Sequence, residues 1–247
     1  MIVPDQRKTS EQRFYDRAYE SGTVDTKNGF FEISAGVQRY RQLILAGCDG
    51  KRALEYGCGL GGQAFALAER GATVTGIDIS EVAVAQARRR AAAIPAASLR
   101  FLKADAEALE FPDGSFDLVC GSGILHHLDL DRSLRELHRV LVPGGRGVFY
   151  EPLGHNPLLN LYRVMTPGSH TPDEHPLLMR EIRGLQNIFA TARAEFYDLL
   201  SVFVIPILSL PGGEKLLRAS EWADRQIFRF LPPLRAWGAV VVLELGK

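Results

Sequence analysis

The stretch EYGCGLGG, residues 55–62, closes the apolar run RALEY (52–56) and opens a helical pattern over residues 61–70. Glycines at 57, 59, 61 and 62 let the backbone turn tightly and come close to a ligand, and the following helix aims its unpaired N–H groups at that point. Outward from this loop, short apolar runs alternate with helical periodicity. Strands are expected at Arg52–Tyr56, Thr73–Ile77, Leu99–Lys103, Phe116–Cys120 and Gly147–Glu151, and helices at about Gly61–Arg70, Ser80–Ala93 and Asp131–Leu141. Ser80 with Glu81 makes a helix start, and Pro143-Gly144-Gly145 stops the third helix ahead of the fifth strand. Repeated β–α alternation with buried strands predicts a Rossmann-like α/β fold, a doubly wound and mostly parallel sheet.

Two readings of the loop compete. Gly57-x-Gly59-x-x-Gly62 has the spacing of a dinucleotide fingerprint, and Asp78 ends the next strand, where an acid grips ribose hydroxyls. That much fits an NAD(P)-dependent oxidoreductase. Against it, Glu55 stands two residues before the first glycine, where a carboxylate repels a pyrophosphate but suits an ammonium or sulfonium group. The third strand ends in Asp105-Ala106-Glu107, a second acid at the ligand edge, able to accept a bond from an adenine amino group. The fourth runs into Gly121-Ser122 and then His126-His127.

Taken in order, EYGCGLGG, TGIDIS, KADAEALEFPDGSFDLV, ILHHL and LHRVLVPGGRGVFYEP resemble the class I S-adenosylmethionine-dependent methyltransferases, most closely the small-molecule branch that includes quinone-biosynthesis enzymes. The resemblance covers residues ~37–151. It implies a seven-stranded sheet with an antiparallel last strand and S-adenosylmethionine as cofactor. It also implies that Glu55, Gly57, Cys58 and Gly59 line the methionine portion, that Asp78 takes the ribose and Ile79 packs on adenine, that Asp105 and Ala106 meet the adenine edge, and that Gly121 and Ser122 close the pocket. Tyr15, in the lead-in FYDR, resembles the N-terminal aromatic that covers the cofactor in such enzymes; as a plain core aromatic it would look the same. A protein that binds the cofactor without methylating would carry the same motifs.

Methyl transfer is an in-line displacement, so alignment and exclusion of water dominate, with a general base where the acceptor carries a proton. His127 and His126, candidate bases or else packed under the cofactor, lie beyond the fourth strand, and Glu151 ends the fifth, within EPLGHNP (151–157). Glu151 is expected as base or cation stabiliser, with His155 beside it; the alternative is an acid that fixes loop N–H groups. The histidines lack H-x₃-H spacing and the acids do not cluster, so no metal is expected. His170 and His175, in the segment before Pro176, could reach the pocket, while Thr171–Glu174 has the form of a helix start.

The remaining expectations are broader. The 247 residues hold 29 Lys+Arg against 29 Asp+Glu, so no net field favours nucleic acid. Three scattered cysteines and an N-terminus without an apolar run fit a reducing, cytoplasmic setting. No stretch is long and apolar enough to cross a bilayer. A single domain is expected, with residues 1–36 as lead-in, 37–151 as cofactor core, 152–237 as substrate-side elements and 238–247 as final strand. Helices are expected at 37–46, 177–189 and 214–230 and a strand at 193–199. The apolar run VFVIPILSLP (202–211) and the amphipathic helix after it read as a greasy cap over a lipophilic small-molecule acceptor. Packing of a homodimer, contact with a membrane surface and plain core burial remain open for the same residues.

Overall fold

A computed structural model describes residues 4–23, 33–94, 98–166 and 174–247. Seven strands form one sheet in the order β3-β2-β1-β4-β5-β7-β6. They are β1 Arg52–Tyr56, β2 Thr73–Asp78, β3 Leu99–Lys103, β4 Phe116–Ser122, β5 Leu141–Pro152, β6 Thr191–Tyr197 and β7 Val240–Gly246. Neighbours from β3 through β5 run parallel, and only β7 runs antiparallel to both its partners, β5 and β6. This is the sheet the sequence implied.

The helices in chain order are α1 Pro4–Ser21, α2 Ala35–Leu45, α3 Gly62–Glu69, α4 Glu81–Ala92, α5 Leu130–Val140, α6 Pro157–Met165, α7 Met179–Gly184 and α8 Gly213–Phe230. Their starts follow the local chemistry. The Ser80 hydroxyl accepts from the Ala83 N–H and Asp129 accepts from the Arg132 N–H, each filling an orphan donor of a first turn. In α5, Leu134, Leu137 and Val140 face the sheet at three-residue spacing. Apolar side chains pack on both faces: Val74, Leu118 and Val148 on one, Leu54, Val119, Phe149 and Leu243 on the other.

From β1 the chain steps outward through β2 to β3, then crosses back to β4 on the other side of β1, so the strand order reverses between β1 and β4. An open sheet binds ligands at that switch point, beyond the carboxyl ends. Pairing of Asp78 with Lys103, Tyr56 with Gly121 and Ser122 with Tyr150 brings the ends of β1 to β5 to one edge.

After Glu151 the chain departs from expectation. Residues 177–189 do not form one helix. Leu177 pairs with Leu153 in a bridge, and only then do the short α7 and a single 3-10 turn at Leu185–Asn187 follow. Two polar side chains organise the rest. Asn156 caps α6 through the Leu158 and Leu159 N–H groups and donates to the Trp237 carbonyl at 2.7 Å. Asp224 of α8 accepts from the N–H groups of Leu199, Leu200 and Ser201. In the segment expected as a greasy cap, Phe203 and Leu210, with Trp222 and Phe230 of α8, are exposed; so are Leu158, Leu161, Val164 and Met165 of α6, outside that segment, Val164 to 77%.

Candidate active site

The glycine loop leaves β1 with Gly57 at φ +58° and Gly59 at φ +50°, in the left-handed region that disfavours any side chain. A Cβ on Gly57 would lie 2.8 Å from the Ile124 side chain, and one on Gly59 would lie 2.5 Å from the Tyr19 hydroxyl. Asp78 binds this loop to the next one, accepting from the Gly59 N–H and the Ser80 N–H, both at 2.8 Å. Burial raises its pKa and those two donors oppose the shift. Glu55 points under the loop rather than into the site. Its carboxylate accepts from the Ala64 N–H at 2.8 Å and the Gln63 N–H at 3.3 Å, capping α3. Burial pushes that carboxyl up to about 8, against the pull of the two donors. The Cys58 N–H is spent on the Ile77 carbonyl.

Over the carboxyl edge lies a cavity of about 150 Å³. Among the residues expected from sequence it brings together Tyr15, Gly57, Asp78, Ile79, Asp105, Ala106, Ser122 and His127. Its roof, α1, contributes Lys8, Glu11 and Tyr19, which sequence reasoning did not single out. Lys8 is paired with Asp105 at 2.6 Å and with Glu107 at 2.9 Å, and Arg7 holds both Glu107 and the His127 carbonyl. Burial works to raise the pKa of Glu107, but the Asp129 N–H and these two cations outweigh it and hold it below the usual carboxylate value. Arg7 and Lys8 lie in a helix without an apolar stripe, so nothing in the local pattern marks them as inward-facing. The only earlier sign of their role was the Asp105-Ala106-Glu107 cluster they meet.

Gly121, Glu151 and His126 stand beside the cavity rather than on its wall. Gly121 lies under it, where a Cβ would come 2.7 Å from Ile124. Glu151 is fully buried. One of its oxygens accepts from the Ile124 and Leu125 N–H groups at 3.0 and 2.9 Å, and the other meets His126 Nδ1 at 2.8 Å. The acid therefore anchors the turn that carries the histidines. Burial lowers the pKa of His126 while Glu151 pulls it upward. His127 sits against α1, its Nδ1 3.0 Å from Glu11 and its Nε2 3.0 Å from the Tyr15 hydroxyl. Burial raises the pKa of Tyr15.

His155 was expected beside Glu151; instead it is exposed and accepts the Met179 N–H at 3.0 Å. His175 is exposed too, and its N–H donates to the His126 carbonyl, so backbone rather than imidazole reaches the site. His170 and the expected cap at 171–173 lie outside the described residues. The next described residue, Glu174, comes within 3.8 Å of His126 Nε2.

The polar groups fit a nucleoside carrying a charged amino-acid tail. Two carboxylates, Asp78 and Asp105, stand at the ends of neighbouring strands, and Gly57 of the glycine loop and His127 line the same cavity.

Residues 54–149 match a family described as "Methyltransferase domain". Over 104 residues the chain is 47% identical to a demethylmenaquinone methyltransferase of Thermus thermophilus, a match spanning 41% of this chain and 47% of that protein. Over 122 residues it is 39% identical to a ubiquinone biosynthesis O-methyltransferase of Pseudomonas aeruginosa, spanning 49% and 52%. The chain thus spans about half the length of these curated relatives. A solved phosphoethanolamine N-methyltransferase 2 of Haemonchus contortus, in complex with S-adenosyl-L-methionine, shares the fold with a TM-score of 0.65. It is 20% identical and covers 95% of this chain and 60% of its own.

Proposed function

We propose that the chain transfers a methyl group from S-adenosylmethionine to a hydroxyl or carbon of a small, ring-bearing, lipophilic acceptor. One observation carries the reading: a single cavity has Gly57, Asp78 and Asp105 on one side and Ser122, Gly123, Ile124, His127 and Leu128 of the turn after β4 on the other. Bound S-adenosylmethionine supplies a methyl group on a cationic sulfur. The residues of the chain do the rest. Asp78 is suited to ribose hydroxyls and Asp105 to the adenine amino group, Ile79 and Ala106 offer apolar contact, and the left-handed glycines allow close approach of the backbone. The acceptor class rests on the relatives, whose names place them in menaquinone and ubiquinone biosynthesis.

The cavity is smaller than the ~300–1,000 Å³ usual for ligand sites. Cofactor entry therefore requires α1 to move: Lys8 must release Asp105, and Tyr19 must lift from Gly59. Its return over the site would exclude water and bring Tyr15 beside His127.

The acid of the fifth strand takes a different part from the base first expected. Glu151 is a positioning residue that fixes the turn and the orientation of His126, and the His126–His127 pair is the group that meets the acceptor. Calorimetry with S-adenosylhomocysteine and with NADH tests the cofactor, and transfer of labelled methyl from S-adenosylmethionine to a phenolic quinol tests the reaction. Binding of NADH alone would sink the reading. Binding of S-adenosylhomocysteine without labelled product would leave a cofactor-binding protein of another activity.

A further inference from the structure

The two histidines have a feature that acceptor contact alone does not require. Each has its Nδ1 against a buried or half-buried carboxylate: His126 on Glu151 at 2.8 Å, His127 on Glu11 at 3.0 Å. A carboxylate on one ring nitrogen fixes the tautomer and turns the other outward as a lone pair of raised basicity, the usual support for a histidine that ligates a metal. Nε2 is then the ligating nitrogen on each ring. The rings lie 4.0 Å apart, and one donor atom from each of His126, His127 and Glu174 falls within 4.8 Å of the other two. His126 Nε2 already stands 3.8 Å from the Glu174 carboxylate. Two imidazoles and one carboxylate on a single side of a centre leave positions open for further ligands, a set suited to divalent transition ions such as Zn²⁺, Fe²⁺ or Co²⁺ rather than Ca²⁺ or Mg²⁺.

We infer that His126, His127 and Glu174 form a site for one divalent transition cation beside the cavity, onto which His127 opens. The ion draws an acceptor hydroxyl or enol oxygen to its open positions. Coordination favours the deprotonated oxygen, whose proton leaves to solvent, so neither imidazole need serve as the base. The Tyr15 hydroxyl, now 3.0 Å from His127 Nε2, must yield that nitrogen, which couples the site to the movement of α1. The expectation of no metal rested on spacing along the chain. The spacing misleads because two ligands are adjacent residues, and the third is brought back by the Leu153–Leu177 bridge and the His175-to-His126 backbone bond.

The inference deepens the proposed methyl transfer but is tested apart from it. Full-length protein stripped with a chelator is titrated with CoCl₂ and followed by visible absorption and calorimetry, with S-adenosylhomocysteine affinity measured on the same samples. One equivalent of Co²⁺ is expected, with Kd below about 10 μM and visible bands of a protein-bound ion. Glu174→Gln and His126→Gln are each expected to weaken it at least tenfold while changing S-adenosylhomocysteine affinity less than threefold. Absence of those bands at 100 μM Co²⁺ overturns the site on the native protein, whatever the variants do. Equal affinity in both variants overturns it as adventitious binding. Loss of S-adenosylhomocysteine binding in the native protein would strike the cofactor reading instead, leaving the Co²⁺ result to stand or fall alone.

Discussion

The halves of the molecule on either side of Glu151 solve different problems. Before it, the glycine loop and the acids of β1 and β2 are held by partners nearby along the chain: Asp78 by Gly59 and Ser80, Glu55 by Gln63 and Ala64. After it, the elements are held by single polar side chains, Asn156 to Trp237 and Asp224 to residues 199–201, and by a backbone bridge from Leu177 to Leu153. The first half buries its apolar residues in the sheet, whereas the second leaves many of them on the surface. A cofactor loop needs rigid backbone set by local sequence. An acceptor site can be assembled from distant pieces, and that makes it harder to read.

Glu151 joins the two halves, and removing it should produce the largest effect. In Glu151→Ala the buried N–H groups of Ile124 and Leu125 and the ring nitrogen of His126 lose their acceptor. At about 1–3 kcal/mol for each unsatisfied buried group, the loss should reach about 3 kcal/mol or more in urea unfolding. Glu151→Gln keeps an oxygen for the backbone donors but presents an amide N–H₂ to His126 Nδ1, forcing the other tautomer. It should cost about 1 kcal/mol of stability, leave S-adenosylhomocysteine affinity near that of the parent, and sharply reduce turnover. A stable Glu151→Ala would mean the turn is held by the first half alone, and the boundary drawn here would disappear.

Next in size is Asp78→Ala. Losing a charge-assisted contact to ribose should weaken S-adenosylhomocysteine at least tenfold, about 1.4 kcal/mol, in a calorimetric titration. Unchanged affinity would confine Asp78 to its loop contacts with Gly59 and Ser80.

The same contrast explains what could be read in advance. Strands β1 to β4 fall within two residues of their expected bounds, because an apolar run between a helix stop and a glycine turn is local information. β5 begins six residues early, at Leu141, because pairing with Phe116 extends it past Pro143. The expected helix over 177–189 fails because Leu177 is taken into a bridge by Leu153, a contact no propensity encodes. Of the site, the glycines and strand-end acids were legible as motifs. Lys8, Glu11 and Tyr19 were not, since α1 turns a polar, charged face inward and so lacks the apolar stripe that marks a packed helix. Glu55 was visible but assigned to the ligand; only the structure gives its carboxylate to the Gln63 and Ala64 N–H groups.

A smaller effect should separate the halves by pH. Asp198 is buried at φ +64°, a conformation asparagine also tolerates. Burial lifts its pKa from 3.8 to about 7, with Ser201 pulling down and Asp224 adding repulsion. A pKa raised on folding means that the group's contribution is full below about 3.8 and is lost as pH rises through about 7. Asp198→Asn should therefore gain stability relative to the parent between pH 4.5 and 7.5 in paired urea melts. A difference independent of pH would show that the carboxylate is ionised throughout.

The smallest effect is expected where the second half looks most exposed. Val164 and Met165 end α6 with 77% and 72% of their surface open. Surface substitutions of this kind change stability by less than about 0.5 kcal/mol, so Val164→Gln with Met165→Gln should unfold at the parent's urea midpoint. Dilution provides the sharper comparison. If the apolar face of α6 is free in solution, the midpoints of parent and double variant agree at 1 μM and at 100 μM protein. If copies of the chain bury it against one another, the parent alone gains stability with concentration and the substitutions abolish the gain. That outcome would make the second half's apolar surface an interface and end the contrast drawn from exposure, without touching the first half.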